Sequence, residues 1–307
     1  MKEQSVFSWL SPQAAEVTRL FIGVLIVSAV IFLLVTILVT ITCVRFKARG
    51  DETPPQRHGR VGPEIVWTVA PFLLLVIIFF FTVRVIRSAE PDSDRALNPD
   101  IVVIGHQWWW EVRYPRSGVV TANEIHIPAG KQWLARVESA DVIHDFWVPA
   151  LGPKIDAVPG HPNYLWLSSD SPGTFVGACA EYCGNQHAWM RIRVIAQQAD
   201  AFTEWEAREN RPADVTEDSA GLRLFRQHTC INCHALKGTR AAATVGPDLT
   251  HIASRETIGA GVVANTDFNL RQWLSDPQAV KPGILMPNFR MSPGDVDMLV
   301  QLLESLR

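Results

Sequence analysis

Hydrophobic positions follow three different rhythms along the chain. Residues 20–44 form a charge-free run rich in Val, Ile and Leu, and residues 65–83 form a second. Wound as helices, these runs are about 37 Å and about 28 Å long, against a hydrocarbon core of ~30 Å. Each predicts a membrane-spanning helix, with Pro71 accommodated as a kink in the second. The first run is too long for the apolar region of a cleaved signal peptide, and no small-residue cleavage site follows it, so it reads as a retained span. From 101 to 197 the pattern changes to short alternating stretches separated by Pro and Gly, such as EIHIPAG, QWLARVES and MRIRVIA. Period-2 alternation at this spacing predicts an all-β sandwich or Greek-key barrel. A charged stretch at 201–216, containing Pro212, reads as a linker. Helical spacing then returns. Val296, Leu299, Val300 and Leu303 form the apolar stripe of a last helix, with Ser292 as N-cap, Pro293 at N1 and Asp295 in the first turn.

Charge refines this picture locally rather than globally. The 28 Lys+Arg nearly balance 31 Asp+Glu, a net charge of −3, so nothing points to nucleic acid or to an acidic tail. Arg45, Lys47, Arg49, Arg57 and Arg60 nevertheless cluster between the two spans. The positive-inside rule places that loop in the cytoplasm, and both termini and all later residues on the other side. Arg84 and Arg87, after the second span, reduce the asymmetry.

Candidate chemistry is concentrated in the cysteines. Four of the five fall in two tight pairs, an arrangement that suits metal or cofactor binding better than a disulfide scaffold. In GACAEYCGNQHAWM, Cys179, Cys183, His187 and Met190 follow at spacings of four, four and three, and His144 lies upstream in VIHDFWVP. Two thiolates, two imidazoles and a thioether are a soft set that suits copper. A mononuclear blue-copper site uses one Cys, two His and an axial Met, which leaves one Cys over. The second thiolate makes sense if both sulfurs bridge two coppers, each taking one His. Met190 is then a weak ligand to one copper, and the backbone carbonyl of Glu181 serves the other. A structural zinc site of two Cys and two His is the alternative, disfavoured by the spacing and the following Met. His106, His126 and His161 read as surface or hydrogen-bonded structural residues, and Cys43 as a small apolar residue buried in the first span. Further on, Cys230, Cys233 and His234 form C-x-x-C-H, the attachment signature of c-type haem. Met286 is the expected second axial ligand, with Met291 and Met298 as alternatives.

The segments GHQWWW, HDFWVPALGPKIDAVPG and CAEYCGNQHAWM closely resemble subunit II of cytochrome c oxidase, which carries a binuclear CuA centre. GPDLTHIASR through QAVKPGILMPNF resembles the cytochrome c domain fused to some bacterial subunits II. The resemblance implies copper ligands at His144, Cys179, Glu181, Cys183, His187 and Met190, and haem c on Cys230, Cys233, His234 and Met286. It further implies a magnesium or manganese ion reached by the Glu181 carboxylate at the contact with subunit I. Trp108 matches the family's surface tryptophan where electrons enter from cytochrome c, while the family's usual Tyr is replaced by Trp109. On a strand Trp108 and Trp110 share a face, so an aromatic core is the plainer reading for two of the three. Glu64 aligns with an acidic residue near the mouth of a proton channel into subunit I. A Glu at a helix N-terminus is equally explained by the helix dipole. Asp141 and Asp145 are candidates for docking a basic cytochrome.

The expected fold is therefore multidomain: a two-helix transmembrane hairpin at 1–95, an all-β cupredoxin-like Greek-key domain at 96–200, the linker at 201–216, and a small all-α cytochrome c domain at 217–307. The expected function is that of the electron-transfer subunit of a haem–copper terminal oxidase in a bacterial plasma membrane, itself lacking the oxygen-reducing site. Electrons would pass from a soluble or membrane-bound cytochrome c through haem c to CuA, and on to the haem of subunit I. Subunits I and III and membrane lipid are the expected partners, with no nucleic acid. Two other readings remain open: a subunit of a CuA-containing nitric oxide reductase, and a membrane-tethered redox or metal-binding module without a catalytic partner.

Overall fold

The computed structural model of the chain describes residue 7 and residues 9–47, 50, 59–91 and 98–307. Of the basic cluster between the spans, Arg49 and Arg57 lie outside the described residues, as does the expected boundary at 95. The two apolar runs are helices α1 (Pro12–Arg45) and α2 (Val61–Ala89). No residue of α2 is buried, as suits a helix whose surroundings are acyl chains. Cys43 likewise faces outward rather than into a protein core. Thr40, Thr42, Thr68 and Thr82 donate to carbonyls four residues earlier at 2.7–2.9 Å, which satisfies their hydroxyls where water is absent. Ser88 of α2 donates to Glu16 of α1 at 3.0 Å, so the two helices run antiparallel. Glu64 lies in the first turn of α2, and Pro71 within it.

The alternating region forms ten strands: β1 (Ile101–His106), β2 (Trp109–Tyr114), β3 (Val119–Ala122), β4 (Glu124–Pro128), β5 (Trp133–Ser139), β6 (His144–Trp147), β7 (Ile155–Ala157), β8 (Asn163–Leu167), β9 (Gly173–Cys179) and β10 (Arg191–Gln197). They make two five-stranded sheets, in the orders β3-β2-β1-β5-β8 and β4-β10-β9-β6-β7. The β1–β5 and β10–β4 pairs are parallel among antiparallel neighbours, so strands cross between the sheets. Inward positions, among them Trp110, Val112, Val137, Phe146, Ile192 and Val194, fill the core.

The segment expected as a linker begins instead as a helix, α3 (Ala199–Glu209). Its charged sequence conceals two aromatics three residues apart, Phe202 and Trp205, which share one face and join the sandwich core. The C-terminal part contains α4 (Ala220–Gln227), a ribbon of β11 (Thr257–Ile258) and β12 (Val263–Ala264), α5 (Asp267–Ser275), α6 (Pro277–Val280) and α7 (Pro293–Ser305). It is helical apart from that short ribbon. Ser292 accepts from the Asp295 amide, so α7 is capped as its sequence predicts. Its stripe packs with Leu222, Phe225 and Leu270 into a second core. The two parts meet through polar groups and a small apolar cluster of Trp109, Ala122 and Ala260. Glu124 of β4 accepts from the amides of Glu256 and Thr257 at 3.2 and 3.0 Å, and the Arg191 amide donates to the Ala260 carbonyl at 3.1 Å.

The contact between α3 and the sandwich should be pH-sensitive. His126 stacks on Trp205 at 4.1 Å, and its Nδ1 lies 3.0 Å from Gln197 Oε1. Burial pushes its pKa down from the usual 6.5 to about 4. Between those values the unfolded chain binds more protons than the folded one. The stabilising effect is therefore complete above about pH 6.5 and lost as pH falls. Unfolding followed by tryptophan fluorescence should show a His126 contribution of ~1.4 kcal/mol per pH unit across this window. His126→Phe should flatten that slope, and an unchanged slope would dismiss the assignment.

Candidate metal centre

The β9–β10 pair closes the cysteine-rich loop. The Cys179 amide at the end of β9 donates to the Met190 carbonyl just before β10, at 2.9 Å. Between them the chain turns at Gly184, whose φ of +115° disfavours a side chain and whose Cβ would stand 3.0 Å from the Trp108 ring. A single 3-10 turn, His187–Trp189, follows. β6 lies beside β9 and brings His144 to the same point. On the facing sheet a Cβ at Gly105 would fall 2.7 Å from the His144 ring, so glycine leaves room for that imidazole.

Donor atoms converge as a result. Cys179 Sγ and Cys183 Sγ are 3.7 Å apart. His144 Nδ1 lies 3.9 Å from the first sulfur and His187 Nδ1 3.8 Å from the second. Met190 Sδ is 3.9 Å from Cys183 Sγ, and the Glu181 carbonyl oxygen is 3.1 Å from Cys179 Sγ. All six positions read from the sequence are thus brought together, with the Glu181 side chain exposed outside. The hydrogen bond between the thiols lowers the pKa of Cys179 and raises that of Cys183, helped there by burial. Two buried sulfurs, two imidazoles and a thioether fit copper, and the donor set holds no hard oxygen cage for magnesium or calcium.

Supporting residues differ from expectation in three places. Trp108 is not a surface residue: it is 9% exposed, and its Nε1 donates to the Cys183 carbonyl at 3.0 Å. Asp141, exposed in part, is more than a surface acid. Its carboxylate accepts from the Gln107 amide at 2.6 Å and lies 2.8 Å from His144 Nε2, fixing the ring with Nδ1 toward the sulfurs. Burial alone would raise the pKa of Asp141, but these bonds outweigh it and lower the pKa. Asp145 is buried, and desolvation with Asp156 nearby pushes it up to about 7, so it presents no surface charge. Gln107, unnoticed in the sequence, donates to the Cys183 carbonyl at 2.8 Å. His106, stacked on Trp109 at 4.3 Å, and His126 are held as structural residues, and His161 is exposed.

The second cysteine pair lies on another 3-10 turn, Cys230–Asn232, directly after α4. His234 Nδ1 is 2.7 Å from the Pro247 carbonyl and donates to it, leaving Nε2 as the free nitrogen of a neutral ring. A Cβ at Gly246 would stand 2.6 Å from that ring, so glycine permits the approach. Two thiols beside an imidazole with a fixed tautomer fit covalent haem attachment. Met286 and Met291 pack on the helical core, whereas Met298 is exposed on the outer side of α7.

Comparison with known proteins identifies the family. Family models described as "Cytochrome C oxidase subunit II, transmembrane domain", "Cytochrome C oxidase subunit II, periplasmic domain" and "Cytochrome c" match residues 6–85, 116–197 and 219–307. Cytochrome c oxidase subunit 2 of Alkalihalophilus pseudofirmus is 39% identical over 96% of this chain and 89% of its own length. The corresponding protein of Bacillus subtilis is 32% identical over 86% of this chain and 81% of its own. A solved periplasmic domain of subunit II of cytochrome oxidase from Bradyrhizobium japonicum is 33% identical, covering 36% of this chain and 91% of that one, with a TM-score of 0.35. With two apolar helices ahead of an extracytoplasmic sandwich and a C-terminal cytochrome c domain, this membrane chain belongs to the cytochrome c oxidase subunit 2 family, the electron-transfer subunits that work with subunit I in haem–copper oxidases.

Proposed function

We propose that this chain accepts electrons from a cytochrome c at its own haem c, passes them to a binuclear CuA centre and delivers them to the haem of subunit I, where oxygen is reduced to water. The observation that carries the reading is the approach of two buried sulfurs, each with its own imidazole. When bound, the copper pair supplies a one-electron carrier whose charge is shared by two metals, and haem c supplies a second carrier. His144, Cys179, Cys183, His187, Met190 and the Glu181 carbonyl would hold the coppers. A rigid frame of this kind limits rearrangement when the charge changes, because Gln107 and Trp108 fix the Cys183 carbonyl and Asp141 fixes His144. Cys230 and Cys233 would attach the haem through thioethers, and His234 Nε2 and the Met286 sulfur would be its iron ligands. The exposed Glu181 carboxylate would be a ligand for a magnesium or manganese ion at the contact with subunit I, and Glu64 would mark the mouth of a proton channel there.

Oxidase containing this chain should hold two coppers at the sandwich and give a delocalised mixed-valence electron resonance signal. One copper per chain, or a resolved single-copper hyperfine pattern, would overturn the binuclear centre. Cys183→Ser should abolish the signal, since a hydroxyl is hard and bridges copper poorly.

Asp141→Ala should weaken copper retention against a chelator by about 10–100-fold while the sandwich stays folded. Unchanged retention would make Asp141 a bystander.

Met286→His should lower the haem potential, because imidazole stabilises ferric iron better than thioether does, while haem stays covalently attached. Met291→His should leave the potential nearly unchanged. The reverse outcome would assign the sulfur to Met291.

A further inference from the structure

Lys281 follows α6 in the segment that leads to Met286, and it is 2% exposed. Its Nζ donates to the carbonyls of Trp108 at 3.1 Å, Trp189 at 3.0 Å and Gly259 at 2.9 Å. An ammonium has three donors, and here each has one acceptor. Two acceptors belong to the sandwich, one just before β2 and one beside Met190, and the third follows β11. We infer that Lys281 is a positioning residue that seats the haem-bearing segment on the copper loop in one register, so that the copper centre receives its electrons from this chain's own haem. The inference rests on the reading of the two cofactor sites given above.

Neighbouring contacts extend the register on both sides. Toward the copper, the residue that Lys281 grips is Trp108, whose indole, with Gln107, holds the Cys183 carbonyl. Gln186 of the same loop donates to the Pro282 carbonyl, and a Cβ at Gly283 would stand 3.7 Å from Asn185 Cβ. Toward the haem, Gln278 ties the segment together. Its Nε2 donates to the carbonyls of Ile284 and Met286 at 3.0 and 2.8 Å, and its Oε1 accepts from the Gly283 amide at 2.9 Å. A continuous set of named bonds thus joins the Met286 segment to Cys183. A buried ion is a costly way to gain stability, whereas three fixed acceptors define a single seat. Trp108, buried and held by its carbonyl, is not open to a soluble donor. The transfer served is of one electron: the haem is oxidised by one, the copper pair is reduced by one, and no bond is made or broken.

The test uses the full chain in its oxidase, with Lys281→Met keeping the length and removing the charge and donors. Two readouts are taken: the haem-to-copper transfer rate after rapid haem reduction, and the relaxation of the copper electron resonance signal, which a ferric haem nearby accelerates. The variant should transfer about tenfold more slowly or worse, with weaker haem-induced relaxation and with haem and copper spectra unchanged. Unchanged rate and relaxation would overturn the positioning role alone. If Lys281→Met does not assemble, Lys281→Arg decides, because a planar guanidinium cannot seat on three carbonyls arranged around an ammonium. Both readouts should then shift in the same direction, and unchanged values would overturn the role. A parent chain lacking covalent haem or the binuclear signal would overturn the underlying reading itself.

Discussion

Two buried thiols, Cys179 and Cys183, lie 3.7 Å apart with an imidazole beside each, and the surrounding structure is organised around the charge this creates. Two thiolates buried at this separation repel each other unless a cation stands between them. Soft cations there satisfy both sulfurs at once. The β9–β10 closure sets the first sulfur, and two side-chain bonds to the Cys183 carbonyl set the second. Glycine at 105 and at 184 leaves the space that the His144 and Trp108 rings fill. The scaffold thus holds its donors in place from outside the metal shell, by backbone pairing and by groups that never touch copper.

Much of this was legible in the sequence, for identifiable reasons. Cys179, Glu181, Cys183, His187 and Met190 sit in one loop, so their chemistry survives as spacing, and C-x-x-C-H survives likewise around His234. The spans and the α7 cap are local patterns as well. What stayed hidden depends on contacts between distant segments. The exposure of Trp108 cannot be read from GHQWWW, because the residues that bury it include a lysine 173 positions away. Asp141 is a surface acid, and only the turn before β6 shows that its carboxylate also reaches His144. In α3 two aromatics among charged neighbours were too sparse to register as an amphipathic stripe, yet they complete the sandwich core.

The polar contact between the sandwich and the C-terminal part follows from their being one chain. A surface that meets a soluble partner must release it, and burying an ammonium there would require dehydration at every encounter. A tethered partner is present at high effective concentration, and its groups are dehydrated once, on folding. Buried Glu124, Arg255 and Lys281 belong to that second regime: Glu124 takes two backbone amides from the C-terminal part, and Lys281 gives two of its three hydrogen bonds to the sandwich. Arg193 and Glu256, 2.5 Å apart, add an ion pair at the margin. Steering by opposite net charges is unnecessary for such a pair of redox sites, in keeping with a chain whose charges nearly cancel. What this contact supplies is therefore register, which three carbonyls around one ammonium define more sharply than a broad apolar patch.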